Sequence, residues 1–264
     1  MVTLIQAATR LEAWMKGTEH LLHHDSALNL VLEITSPAHG PNDHLATARI
    51  DEFLATEGQI PTHSVAETIF PGSEYKRRGL RGVFETYPQQ VYPSIKGHPS
   101  IRWGTYAHRL LHREGAAGKQ INPLKQMIDK MNEELATPRP KKSCYELGIA
   151  EGEYDLPLYS PLRDGTRRLG GPCLSHLSFK LFDGAVHLTA LYRSHDYGYK
   201  VPGNLLGLAR LQSCVASETG RDVGGLVVHS SYALLSGSKT RLRTLLSDLR
   251  HTAEPKEVSD VMVR

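Results

Sequence analysis

The run LSHLSFKLFDGAVHLTALY, from Leu174 to Tyr192, constrains the fold more than any other part of the chain. Apolar residues alternate on both sides of Asp183-Gly184, and a two-residue Asp-Gly link between alternating arms is a strong hairpin signal. Arms of equal length, about nine residues each, return Arg193 to the vicinity of Cys173. Gly170, Gly171 and Pro172 place Cys173 in a turn, where a thiol is accessible. A thiolate is the reactive form, and a neighbouring cation such as Arg193 raises its population. Cys214, inside an apolar helical pattern, reads instead as a buried inert thiol.

Around this hairpin the periodicity places the remaining elements. A helix is expected over Leu4–Trp14, followed by a polar helix end, Glu19–Asp25. His20 and His24 share a face there, but no recognised motif supplies a third metal ligand. Ala27–Thr35 reads as a strand, and His44–Ala55 and Ile60–Phe70 as helices. The second of these carries Glu67 in the apolar neighbourhood AETIF. Residues Gly72–Arg102 read as an irregular excursion whose Lys76, Arg77, Arg78 and Arg81 form a solvated or phosphate-binding loop. Trp103–Leu111 enters an ordered element containing Tyr106. Asn122-Pro123 starts an amphipathic helix with Leu124, Met127, Ile128, Met131 and Leu135 on one stripe. A strand follows at Cys144–Ile149, then a helix at Leu205–Glu218 and a buried strand at Leu226–Leu235. A basic helix at Lys239–Arg250 leads into a flexible tail from about residue 252.

With 264 residues, 40% hydrophobic and 22% charged, the chain has the composition of a globular protein with a full-sized core, and no repeat or linker divides it. One domain, 1–264, is expected. A net charge of +3 gives no signature of a nucleic-acid polymer partner. Three scattered cysteines suggest neither a disulfide framework nor zinc, and no apolar run suits a membrane. A cytoplasmic setting follows as the expectation.

Beyond the hairpin, Arg193 and Ser194 suit a phosphate, because a guanidinium binds phosphate through paired charge-assisted hydrogen bonds. Asn204 both donates and accepts, as reading a uracil edge requires. Thiol, anion site and carboxamide together suggest a nucleophile acting on a phosphorylated heterocycle.

The interval from Cys173 to Arg193, the pattern Arg193-Ser194-x-Asp196, and Pro202-x-Asn204 together resemble thymidylate synthases and their pyrimidine-nucleotide hydroxymethylase relatives. The match is good over Gly170–Leu208, with a weaker echo to Tyr232 and back to about Val65. The resemblance implies an α+β fold with a large mixed β-sheet flanked by helices, paired sheet to sheet as a homodimer. It implies C5 methylation or hydroxymethylation of a pyrimidine nucleoside monophosphate through a Cys173–C6 adduct, with 5,10-methylenetetrahydrofolate as one-carbon donor.

In that scheme Arg193 and Ser194 hold the phosphate, Arg193 also lowers the thiol pKa, and Asn204 reads the base with a lean to uracil. Asp196 sits near the folate, and Glu67 organises proton transfer. Tyr106 lines the pocket, and Tyr232 with Ser230 contacts a ribose or deoxyribose. Lys141 and Lys142 reach the partner subunit's phosphate. The family pattern is broken at Leu174, Ser178, Lys200 and Gly203, so the folate half of the scheme is the weaker. The alternatives are a diverged nucleotide-binding protein without turnover and folate-independent C5 chemistry at the same cysteine.

Overall fold

The computed structural model describes residues 2–38, 43–98, 104–114, 118–149 and 172–253. The Gly170-Gly171 turn, the acidic stretch 151–155, Trp103 and the tail from 254 lie outside these. Strand β1 (Thr3–Ala7) leads to helix α1 (Arg10–His24) and strand β2 (Ser26–Ile34). Four helices follow, α2 (Asp43–Thr56), α3 (Thr62–Glu67), α4 (Gly72–Arg81) and, after a π-helix at Gly82–Val91, α5 (Tyr92–Ile95). Helix α6 (Tyr106–Leu111), the small pair β3 (Arg113–Glu114) and β4 (Gln120–Ile121), and α7 (Pro123–Leu135) complete the first half. The second half comprises β5 (Tyr145–Gly148), β6 (Leu174–Phe182), β7 (Ala185–Tyr192), β8 (His195–Asp196), α8 (Val201–Glu218), β9 (Asp222–Leu234) and α9 (Lys239–Ala253).

A mixed sheet in the order β1-β2-β9-β7-β6-β5, with β8 on the end of β9, organises these elements. β9 is its central strand, antiparallel to β2 and parallel to β7. One face is fully buried, by Leu30, Leu32 and Ile34 of β2, Leu226 and Val228 of β9, and Val186, Leu188 and Ala190 of β7. Helices α1, α7 and α8 pack on that face. The alternate residues on the other face include the part-exposed Val31, Val227 and His229 and the exposed Thr189. Fold and sheet thus agree with the mixed α+β expectation. No helix among the described residues is long and apolar enough to cross a membrane.

The hairpin forms as its alternation requires. Phe182 pairs with Ala185, and Asp183 (φ 48°) and Gly184 (φ 76°) both take the left-handed conformation of a two-residue hairpin turn. The expectation for the N-terminus is overturned. Thr3–Ala7 is a strand parallel to β2, and the helix starts only at Arg10. Thr9 ends the strand because its Oγ1 accepts from Glu12 N at 3.2 Å while Glu12 Oε2 accepts from Ala8 N at 2.8 Å, a reciprocal N-terminal cap.

The excursion after Gly72 is helical rather than irregular. Gly79 (φ 58°, ψ −148°) kinks α4, and Gly82 lets the chain close over it, since a Cβ there would stand 2.3 Å from Glu74 O. Proline punctuation therefore misled: Pro88 lies inside the π-helix and Pro93 in the first turn of α5. The helix expected from Leu205 starts earlier, at Val201, because Pro202 occupies the first turn of α8.

Gly203 and Gly207, one helical turn apart on α8, set its distance from α3. A Cβ on Gly203 would fall 2.4 Å from Val65 Cβ, and one on Gly207 would fall 2.8 Å from Ala66 O. Both contacts are below what packed atoms tolerate, so glycine is what allows α3 to lie against α8. Gly203→Val should therefore destabilise the fold by about 1–3 kcal/mol through overpacking. Gly148→Ala, at a position with nothing within 4 Å, should change the urea midpoint little.

Candidate functional site

The open end of the β6–β7 hairpin holds the candidate nucleophile. Arg193 N donates to Cys173 O at 2.9 Å, and Arg193 Nε donates to Pro172 O at 3.0 Å. The expected juxtaposition of Cys173 and Arg193 is thus present. Tyr106, the first residue of α6, closes the other side: its buried hydroxyl accepts from Cys173 N at 3.2 Å and Leu174 N at 3.4 Å. α6 is held there by its own cap, Thr105 Oγ1 accepting from His108 N at 3.0 Å.

The thiol of Cys173 is part-buried, and burial pushes its pKa above the ordinary range. Arg193 opposes that push and Asp196 adds to it. Arg193 thus pulls in the expected direction, but desolvation of the thiolate outweighs it and the net shift is upward.

Glu67 ends α3 close to this group, because Ala107 N, next to Tyr106, donates to Thr68 O at 2.8 Å. Its carboxylate is well occupied. Glu67 Oε1 accepts from Ser73 N and Ser73 Oγ, each at 3.1 Å, and pairs with Arg210 Nη1 at 3.1 Å. It thereby caps the start of α4 and ties α3 to α8. Burial lowers the Arg210 pKa, and Glu67 counteracts this. Arg210 escaped the sequence reading, although it is the lone basic residue in the otherwise apolar α8. A cavity of about 360 Å³, lined by His63, Glu67, Ser73, Tyr87 and Thr105 among others, adjoins this pair.

Asn204 is buried in the first turn of α8, where its Nδ2 donates to His195 Nε2 at 3.0 Å. His195 Nδ1 lies 3.0 Å from Ser230 Oγ, and the Tyr197 hydroxyl lies 3.4 Å from the same oxygen. Ser230 is wholly buried. His195, the variable position of the Arg-Ser-x-Asp pattern, also went unnoticed; a histidine between Tyr192 and Tyr197 in a buried strand end was the available signal. Ser194 occupies the bend between β7 and β8. Asp196 Oδ1 accepts from Gly198 N at 3.0 Å and Ser236 N at 3.2 Å, which fixes the turn after β8.

Other expected residues lie apart from the thiol. Tyr232 is 42% exposed and pairs across the ladder with the still more exposed Leu28. Within one chain Lys141 and Lys142 lie at the turn end of the β6–β7 hairpin. Lys141 Nζ pairs with Glu134 at 2.9 Å, Lys142 O accepts from Leu181 N at 3.0 Å, and Lys142 lines a cavity with Asp183 and Gly184.

The basic cluster after Gly72 rides on α4, where Arg77 pairs with Glu74 and Arg81 with Glu85. Arg78 and Arg81 line a cavity of about 440 Å³. Among the described residues no three His, Cys, Asp or Glu side chains cluster to hold a metal, and His20 and His24 only pack ring on ring at 4.6 Å.

No family model matches the chain. A stretch of 59 residues is 44% identical to a protein of Methanosarcina barkeri named "Putative thymidylate synthase", covering 22% of this chain and 27% of that one. Proteins with the same name from Methanosarcina acetivorans and Methanothermobacter thermautotrophicus are 49% and 48% identical over 53 and 60 residues. These matches take in 20% and 22% of this chain. The chain spans about a quarter of the length of these relatives, 27%, 24% and 27% in turn. The likeness is therefore to a thymidylate-synthase-like family, within about a fifth of the chain.

The opposing pushes on Cys173 fix the sign of a pH experiment. With the thiol raised, the thiolate population and hence alkylation by iodoacetamide should still be climbing above the ordinary thiol range. In a Cys144→Ser background, Arg193→Gln should move that pH profile further alkaline, because it removes the cation that favours the thiolate. Rates are read by mass spectrometry of the Cys173 peptide.

Proposed function

We propose that the chain transfers a one-carbon unit, methyl or hydroxymethyl, to C5 of a pyrimidine nucleoside monophosphate through a covalent Cys173–C6 adduct. The observation that carries this reading is the Cys173–Arg193 pair, tied by a backbone bond at 2.9 Å across the hairpin mouth. A buried carboxamide at Asn204 and the similarity to thymidylate-synthase-like proteins support it.

In this mechanism the Cys173 sulfur bonds to C6, and the C5–C6 π electrons move toward C5 and the C4 carbonyl. C5 then becomes a nucleophile, and its hydrogen leaves as a proton once the new C5–carbon bond has formed. Arg193 has two tasks, favouring the thiolate and binding the phosphate beside Ser194. Tyr106 holds the Cys173 backbone in place through its two accepted bonds. Glu67, anchored by Arg210, is the candidate for relaying protons from the pocket wall. Asn204 reads the base with a lean to uracil; of the two residues expected at the sugar, Ser230 is wholly buried with its Oγ beside His195, and Tyr232 is the one exposed to meet it.

The donor implied by the resemblance, 5,10-methylenetetrahydrofolate, fits at one point. Asp196, the last residue of β8, is held as an acceptor and would take the N–H edge of a pterin. When bound, the folate would supply a carbon at the oxidation level of formaldehyde and, for a methyl product, the hydride that reduces it, whereas a hydroxymethyl product would take up water; either ending re-forms the C5–C6 double bond as the Cys173 thiolate leaves C6.

The uncovered sheet face is the surface by which we propose a second copy packs to form a homodimer. Lys141 and Lys142, at the turn end of the hairpin, would then serve the partner's phosphate rather than their own. A second reading, nucleotide binding without turnover, is favoured by the raised thiol pKa and by Lys200. Burial lowers the pKa of this ammonium, which stands in the field of Asp196 on the proposed folate side.

Release of tritium from 5-tritiated UMP, dUMP, CMP and dCMP, with and without the folate, separates the readings. The proposal expects folate-dependent release from at least one nucleotide. Cys173→Ala should abolish release while keeping nucleotide affinity within about tenfold. Binding without any release would contradict turnover, and release that needs no folate would assign a different C5 chemistry to the same cysteine.

A further inference from the structure

A cavity that the thiol chemistry leaves unused adjoins the Glu67–Arg210 pair. It measures about 420 Å³, and none of Cys173, Arg193 or Asn204 lines it. Its polar lining consists of Lys76, Arg210, His63, Ser73 and Ser213, with no carboxylate among the lining side chains. Phe70 and Tyr75 supply an aromatic wall, their rings packed edge to face with centroids 5.7 Å apart. The Tyr75 hydroxyl is spent on Glu218 at 2.9 Å, so the cavity meets Tyr75 chiefly as an apolar ring.

Positive charge around this cavity is only partly compensated. Arg210 is part-buried, and burial works against its charge. Its carboxylate partner is Glu67, whose Oε1 also accepts from Ser73 N and Ser73 Oγ, each at 3.1 Å. Among the described residues, Arg210 Nη2 bonds only His63 Nδ1, at 3.4 Å. Lys76, on α4, is exposed and makes no ion pair among the described residues.

We propose that this cavity binds an organic anion, a carboxylate or phosphate carried on a flat apolar body, with its charged end held by Lys76 and Arg210 and its body against Phe70 and Tyr75. A guanidinium meets either anion through paired donors, and an ammonium adds a point charge. The volume falls at the lower end of the about 300–1,000 Å³ usual for small-molecule sites. The shared guanidinium couples the cavity to Glu67. Carboxylate and ligand compete for the same donors, so each weakens the other's hold on Arg210. Removing the Glu67 charge should therefore tighten the anion, whereas removing either cation should loosen it. A merely basic surface would not show these opposite signs.

Calorimetric titration of the full chain with phenyl phosphate, benzoate and inorganic phosphate tests the proposal. At least one ring anion should bind, and the better of the two tells a phosphate ester from a carboxylate. Inorganic phosphate, lacking the apolar body, should bind about tenfold more weakly or worse. Lys76→Gln should weaken the ring anion about threefold and Arg210→Gln about tenfold, while Glu67→Gln should strengthen it about threefold. Thermal unfolding checks each variant. If Arg210→Gln does not fold, Lys76→Gln and Glu67→Gln decide.

Failure of both ring anions to bind would overturn the inference. So would affinities that Lys76→Gln and Glu67→Gln leave unchanged, or inorganic phosphate binding as tightly as the ring anions. Binding lost on Arg193→Gln but kept in Lys76→Gln would place the anion at the thiol and overturn it equally. None of these results bears on the proposed one-carbon chemistry, which tritium release tests separately.

Discussion

The backbone hydrogen bond from Arg193 N to Cys173 O is the constraint on which the site depends. It closes a hairpin whose far end is fixed by the left-handed Asp183-Gly184 turn, and a bulge between Leu174 and His176 shifts the register by one residue just before the site. One consequence is chemical: a thiol and a guanidinium that are twenty positions apart become neighbours on a rigid support. A site placed on paired strands is positioned more precisely than one on a loop.

Helices complete what the hairpin begins. α8 carries Asn204 and Arg210, and α3 carries Glu67. Gly203 and Gly207 let the two helices approach until the Arg210–Glu67 pair forms at 3.1 Å. From α1, Trp14 Nε1 donates to Tyr197 O at 2.8 Å and holds the turn that follows β8. The carboxamide, the carboxylate and the thiol therefore come from separate elements joined by close packing and short polar links. The local costs are visible: a thiol raised by burial, a histidine kept neutral, and a Tyr192 hydroxyl without a hydrogen-bond partner among the described residues.

Much of this was legible in the sequence, and the exceptions have physical reasons. Strong period-2 alternation with an Asp-Gly turn led to β6 and β7, and the amphipathic stripe from Leu124 led to α7. The N-terminal strand was missed because five residues carry too little periodicity and the deciding signal was the Thr9–Glu12 cap. The segment after Gly72 was misread because its glycines and prolines punctuate helical turns rather than a loop. Gly203 looked like a break in a motif and is a packing residue. His195 and Arg210 were invisible for a different reason: their roles come from partners distant in sequence, Ser230 and Glu67. Spacing within a motif does not report those contacts.

The central claim is that Cys173 acts covalently, through the sulfur, on C6 of a pyrimidine. A 5-fluoropyrimidine nucleoside monophosphate tests it directly, because fluorine cannot leave C5 as a proton does and the adduct stalls after the new C5 bond forms. Protein incubated with 5-fluoro-UMP or 5-fluoro-dUMP and methylenetetrahydrofolate, then digested, should carry the nucleotide on the Cys173 peptide in the mass spectrum. Nucleotide bound at equilibrium, with the Cys173 peptide unmodified under all these conditions, would contradict the account.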